Sequence, residues 1–248
     1  ERIIDAELIS MRNRGVGLEG SDKDNFNRDS ERLAELSSIF SNNVLDATKE
    51  WSMLLRDKSE IEGIPKRALE SFALAAKQAG DTNTQTGSPP TQENGPWRIG
   101  LDMPSYIPII TFAENRSLRE TVYRAHVKRA SDGKLNNQSL IEEILTLRSQ
   151  QAQRLGYLNW AEFSLSSKMA KDIQSVEKLL EELRIAAFHT AKEELKEIKN
   201  CAKSNKAIET NDISSWDISF WSEKLRQEKY DLNQEALRPW FPLPQVLN

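Results

Sequence analysis

The chain has 248 residues, 38% of them hydrophobic and 29% charged, which suits one large or two small domains that fold in water around a sizeable core. Its 34 Lys and Arg against 38 Asp and Glu give a formal net charge of -4, with the signs mixed along the chain, and this excludes the concentrated basic face that nucleic acid requires. No run of about 18 apolar residues is present, so no membrane-spanning segment is expected, and a single cysteine, Cys201, excludes an intramolecular disulfide or a thiolate zinc cage from this chain alone and suits a reducing compartment.

The chain opens on Glu1 inside a segment of helical pattern, so a natural start and any targeting peptide are expected upstream. Gly15-Val16-Gly17-Leu18-Glu19-Gly20 lacks the preceding strand that a phosphate-binding turn needs and reads as a helix C-cap and loop. Leu33, Leu36, Phe40 and Val44 then recur on one helical face. Residues 80–96 are rich in Gly, Pro, Thr, Asn and Gln, which predicts a flexible internal loop that buries no core, after a helix ending near Gln78. Trp97 to Leu101 has strand character, and the prolines of Met103-Pro104-Ser105-Tyr106-Ile107-Pro108 argue for an edge strand or turn, so a small β-hairpin is predicted near residues 97–112.

Ser117-Leu118-Arg119-Glu120 has the pattern of a capping box and predicts a helix running to Asp132-Gly133. Leu140, Ile144, Leu147 and Leu155 give the next helical stripe. The longest stripe is Val176, Leu179, Leu180, Leu183, Ala187, Ala191, Leu195 and Ile198, with Asp172 and Ser175 as N-cap candidates and pairs such as Glu181 with Arg184 and Glu193 with Lys196 on the solvated face. A second cap, Ser214 with Asp217, precedes Trp216, Phe220, Trp221 and Leu225. Leu237 to Pro244 is a proline-punctuated apolar connector, and Pro244-Gln245-Val246-Leu247 resembles the first turn of a helix, so more chain is expected after Asn248. The predicted class is mainly α, an antiparallel helical array with a small β-hairpin element.

Reactive groups are few. Neither histidine, His126 or His189, opens an H-E-x-x-H motif, which needs two His one helical turn apart and a Glu base. His126 falls on the face of Leu118 and Val122 and is expected to pack. His189 precedes Glu193 by four residues, two ligands without a third. Cys201 lies in the Lys-rich stretch Lys199 to Lys206, which could lower its pKa, but no positioned base marks it as a nucleophile. No G-x-S-x-G elbow, P-loop or pair of carboxylates in an apolar setting stands out. The aromatics of 216–221 and 240–241 suit helix packing or a peptide-binding wall.

Several of these patterns occur in the order of one family. Leu36-Ser37-Ser38-Ile39-Phe40-Ser41-Asn42-Asn43-Val44-Leu45-Asp46-Ala47, with Gly15 to Gly20 ahead of it, resembles a signature helix of the thimet oligopeptidase and oligopeptidase A family of zinc metallopeptidases. Leu101 to Pro108, Asn115-Arg116, Leu118-Arg119-Glu120, Tyr123-Arg124-Ala125, Arg129-Ala130-Ser131, Leu147-Arg148, Leu155-Gly156-Tyr157 and Lys168-Met169-Ala170 continue the likeness. Trp216-Asp217, Ser222 to Leu225 and Leu237 to Leu243 complete it, with His126 and Trp240 standing where tyrosines are expected.

The resemblance implies a two-halved, channel-type zinc metallo-endopeptidase acting on short peptides, of which residues 1–248 are an incomplete N-terminal and central helical part. The H-E-x-x-H helix and a further Glu ligand of the family fall beyond Asn248, so no catalytic or metal residue carries over, and the chain alone is expected to bind no zinc and to be inactive. The expected partners are short peptides and the missing catalytic half of the same protein, with no nucleic acid and no membrane. A cytoplasmic location is expected, or an organellar one in mitochondrion or chloroplast. The alternative is a non-catalytic helical peptide-binding or interaction module.

Overall fold

The structure is a computed structural model that describes residues 2–84, 86–207, 212–231, 240 and 242. The connector at Leu237 to Pro244, apart from Trp240 and Pro242, and the expected helix from Pro244 lie outside the described residues. The chain divides into two compact units, Glu1–Ala47 with Arg129–His189 and Thr48–Lys128 with Thr190–Asn248.

The first unit holds α1 (Arg2–Asn13), most of α2 (Gly20–Glu50), a 3-10 turn (Gly133–Leu135), α6 (Gln138–Arg154), α7 (Trp160–Leu165) and the start of α8 (Ile173–Ser204). The stripe predicted on α2 is inward, with Leu36 fully buried and Leu33, Phe40 and Val44 half-buried. Helices α2 and α6 run antiparallel, because pairs that climb one descend the other. Buried Asp29 takes Arg154 at 2.7 Å, Ser30 takes Gln151 at 2.7 Å, and Asn43 donates to Asn137 at 2.8 Å. Arg32 adds a fork to Glu143 at 2.6 and 2.9 Å. Gly15, at φ +72°, ends the first helix as expected, and a Cβ there would meet the Phe26 ring at 2.8 Å. On α8, Asp172 accepts from the Ser175 amide at 2.7 Å, so the predicted cap is present.

The second unit holds β1 (Met53–Leu55), a 3-10 turn (Lys58–Glu60), α3 (Lys66–Gln78), β2 (Trp97–Ile99), α4 (Met103–Phe112), α5 (Arg116–Val127), the end of α8 and α9 (Ser215–Tyr230). The small antiparallel element exists, and Trp97 opens one of its strands. Its partner lies far upstream, Met53 facing Ile99 and Leu55 facing Trp97, so residues 103–112 are helix rather than strand or turn. Asp102 explains this, since its carboxylate accepts from the Ser105 amide at 3.1 Å, while Pro104 stands in the first turn where no amide hydrogen is needed. Pro108 removes one interior bond, and the burial of Ile109 and Ile110 holds the helix in spite of it.

Helix α5 also differs in its ends. Asn115, not Ser117, is the N-cap and accepts from the Leu118 amide at 3.1 Å, and the helix stops at Val127 rather than at Asp132. The described residues of 80–96 make local turns, and Pro90, Gly95 and Pro96 are buried among them, with the Gln92 carbonyl receiving Trp97 Nε1 at 3.1 Å. It therefore contributes to the cover of Trp97, which the composition argument did not foresee.

The core of this unit is Leu55, Ile64, Leu69, Phe72, Trp97, Ile99, Leu101, Ile109, Leu118 and Val122. Gly63 stands at its edge with φ +83°, and a Cβ there would lie 2.3 Å from the Phe112 carbonyl oxygen. That close approach lets the Glu62 carbonyl accept from the Glu114 amide at 2.9 Å.

Helix α9 is tied to α5 by a buried carboxylate. Asp217 is wholly buried and takes Arg116 at 2.8 Å and Arg119 at 2.9 Å, while the Ser214 amide donates to it at 3.1 Å. Arg119, 1% exposed, also donates to the Ala113 carbonyl at 2.8 Å and lies 4.1 Å above the Phe220 ring. Burial works to raise the Asp217 pKa, but its Arg116, Arg119 and Ser214 donors outweigh it and hold the carboxyl below the usual range.

Three outcomes follow. Asp217→Asn leaves the Arg119 charge buried without its counter-ion and should lower the unfolding free energy by about 3–5 kcal/mol, seen as a fall in the urea midpoint. Because the folded pKa of Asp217 is depressed, its contribution is fully present above the unfolded value of about 3.9 and is lost as pH falls through the folded one; urea midpoints measured down an acid series should fall more steeply in the parent than in Asp217→Asn. Gly63→Ala should cost about 2 kcal/mol or more by the same assay, from its left-handed backbone and the contact with Phe112.

Candidate functional site

The two histidines fall in different units. His126 on α5 is half-buried and stacks on Tyr106 of α4, ring centroids 4.0 Å apart and planes 23° from parallel. Leu118 and Val122, which share its face, are buried, so its place is that of a packing residue. His189 and Glu193 on α8 are both exposed. Among the described residues no group of three or more His, Cys, Asp or Glu side chains could hold a metal ion. The zinc that the family resemblance implies therefore finds no fitting donor set among them.

Cys201 of α8 is buried with Ala202, Phe220 and Trp221. Its thiol donates to Glu228 at 3.5 Å, and Asn205 links the Cys201 carbonyl and Glu228 at 2.9 and 2.8 Å. Burial, followed by the Glu228 carboxylate, pushes the thiol pKa up to about 11. The neighbouring Lys199, Lys203 and Lys206 are exposed and do not reverse this, so the lowering that the Lys-rich sequence suggested is corrected: the thiol is held protonated, a poor nucleophile at neutral pH.

The aromatics of 216–221 split in role. Phe220 and Trp221 are buried at an edge-to-face angle of 83° and serve helix packing. Trp216 is half-buried, with the Arg124 guanidinium 4.6 Å and the Arg116 guanidinium 5.6 Å from its ring, and Tyr123 at 6.0 Å. Trp240 is 78% exposed. Both guanidinium groups are engaged, Arg124 with Glu120 at 2.7 Å and Arg116 with Asp217 at 2.8 Å, and the cluster has neither a nucleophile nor a proton-transfer pair.

A polar cleft of about 430 Å³ is lined by Arg56, Asp57, Glu60, Asn83, Thr84 and Pro96. Its two carboxylates are engaged in the local turn, Asp57 accepting from the Ser59 amide and Glu60 from the Arg56 and Asp57 amides, each at 2.9 Å. The residue group that the sequence reading missed is Arg116, Arg119 and Asp217. Its signal was two arginines one turn apart on a face that carries Leu118 and Val122 close by, but Asp217 was assigned only to a helix cap.

No described helix is long and apolar enough to cross a membrane. The model of peptidase family M3 matches residues 109–248. Over all 248 residues the chain is 44% identical to the probable cytosolic oligopeptidase A of Arabidopsis thaliana, covering 34% of that protein. It is 45% identical to the organellar oligopeptidase A, chloroplastic/mitochondrial, of the same plant, covering 30%. Against oligopeptidase A of Escherichia coli (strain K12) it is 36% identical over 253 residues, covering 35% of that protein. The chain thus spans about a third of the length of these relatives. With a family match over more than half of its residues, the chain belongs to peptidase family M3, among the relatives of thimet oligopeptidase and oligopeptidase A.

Proposed function

We propose that this chain is part of a zinc metallo-endopeptidase that hydrolyses short peptides inside a channel, and that it forms helical wall rather than catalytic centre. The observation that carries the proposal is the unbroken likeness, at 44% identity, of all 248 residues to an oligopeptidase A three times as long. Zinc, the attacking water and the groups that stabilise the oxyanion belong on this reading to the remainder of the peptidase, while the residues here shape and hold the wall that peptides meet. Among the described residues, Trp216 and Tyr123 form an aromatic pair suited to contact a peptide.

The relatives' names include a cytosolic and a chloroplastic/mitochondrial oligopeptidase. They support a cytoplasmic place for the complete protein, with an organelle as the second choice.

The test is a quenched fluorescent peptide assay with zinc analysis on two samples. The 248-residue chain alone should hold zinc well below one equivalent and leave the peptide intact. Joined to the remaining two-thirds of the probable cytosolic oligopeptidase A, it should cleave the peptide, and a chelator should abolish that cleavage. Stoichiometric zinc with chelator-sensitive cleavage by the isolated chain would overturn the division of labour. A well-folded joined chain that cuts no peptide would overturn the peptidase reading.

A further inference from the structure

The long stripe of α8 was expected to face a core, yet every residue from Glu177 to Glu197 is exposed. Leu179, Leu180 and Leu183 stand 56%, 59% and 57% open. At about 100° per residue, these leucines share one side of the helix with Ala186 and Ala187, while Lys178, Glu181 and Glu182 occupy the other. Three adjoining leucines on a solvated helix form an apolar patch of the kind that marks an interface rather than a free surface. The two alanines beside them leave the backbone bare enough for another helix to approach to about 8 Å.

We infer that the Leu179, Leu180, Leu183, Ala186 and Ala187 face of α8 docks an amphipathic helix from the part of a full-length M3 peptidase chain that lies outside these 248 residues. The inference rests on the peptidase reading above and names the surface through which this chain is joined to the rest. Length argues for this occupant. Relatives align with the whole of this chain, yet about two-thirds of each has no counterpart in it, and a tethered segment meets its site at high effective concentration. The docking helix should carry leucine or alanine on its inner face.

Hydrogen exchange of the α8 amides tests this, measured in the 248-residue chain and in the same chain joined to the remainder of the probable cytosolic oligopeptidase A. Amides of Glu177 to Phe188 should exchange at least about tenfold more slowly in the joined chain. Leu183→Glu combined with Ala187→Glu should return them to the rates of the isolated chain, while Lys178→Gln on the opposite side should not. In the isolated chain the double variant should leave the melting temperature unchanged, since Glu is a good helix former at an exposed position.

Unchanged α8 exchange in a joined chain that cleaves peptide would overturn this docking face and leave the peptidase reading intact. Protection of α8 in a joined chain that cleaves nothing would support the docking and sink the peptidase reading. A dimer of the isolated chain, or its binding to anionic vesicles, lost in either case with the double variant, would assign the face to a second copy or to lipid and overturn the inference. Should the joined chain fail to fold, the remainder is added in trans, and absence of α8 protection then overturns it too.

Discussion

A carboxylate with no contact to solvent, held between two guanidinium groups, sets the geometry of the second unit. Asp217 is wholly buried and Arg119 nearly so, and neither could stay charged there without the other. Because Arg116 and Arg119 lie one turn apart on α5 and Asp217 lies in the first turn of α9, their fork fixes where α9 begins and how it is rotated. That rotation turns Phe220 and Trp221 inward, toward Cys201 and Ala202 of α8, and leaves Trp216 at the surface between Arg116 and Arg124. Arg119 closes the arrangement by donating to the Ala113 carbonyl at the end of α4. Three helices thus meet on one ion-paired cluster, and the aromatic face follows from it.

The first unit uses the same physics at lower cost. Asp29 is buried against Arg154, which keeps partial exposure, while buried Asn137 pairs with the Asn43 amide and buried Gln151 donates to the Ser30 hydroxyl. Polar pairs between two long helices add register more than energy, since sliding one helix by a turn would leave several buried groups unpaired. The helices are therefore aligned by hydrogen bonds, and Leu36 of α2 and Ala152 of α6 are both fully buried.

Neither cluster is catalytic in character. Their acids are locked to arginines, the thiol is held protonated, and the histidines are a stacked ring and a solvated side chain. The leucines of α8 stay exposed at Leu179, Leu180 and Leu183, which is the observation behind the docking face proposed above.

Sequence alone determined the helical class, the α2 and α6 stripes, the α8 and α9 caps and the family, because these rest on periodicity and on neighbours within one turn. It also showed that His126 would pack, since Leu118 and Val122 mark its face. Local rules failed where distant residues decide. The strand at Trp97 needed Met53 to Leu55 as its partner, Pro108 was tolerated because Ile109 and Ile110 are buried, and the Asn115 cap displaced Ser117. The Cys201 pKa followed burial and Glu228 rather than its lysine neighbours, and Asp217 proved to be the ionic centre of three helices rather than a cap alone. Tertiary structure decided these points because burial and charge pairing are properties of residues brought together from far apart in the chain, which no local spacing encodes.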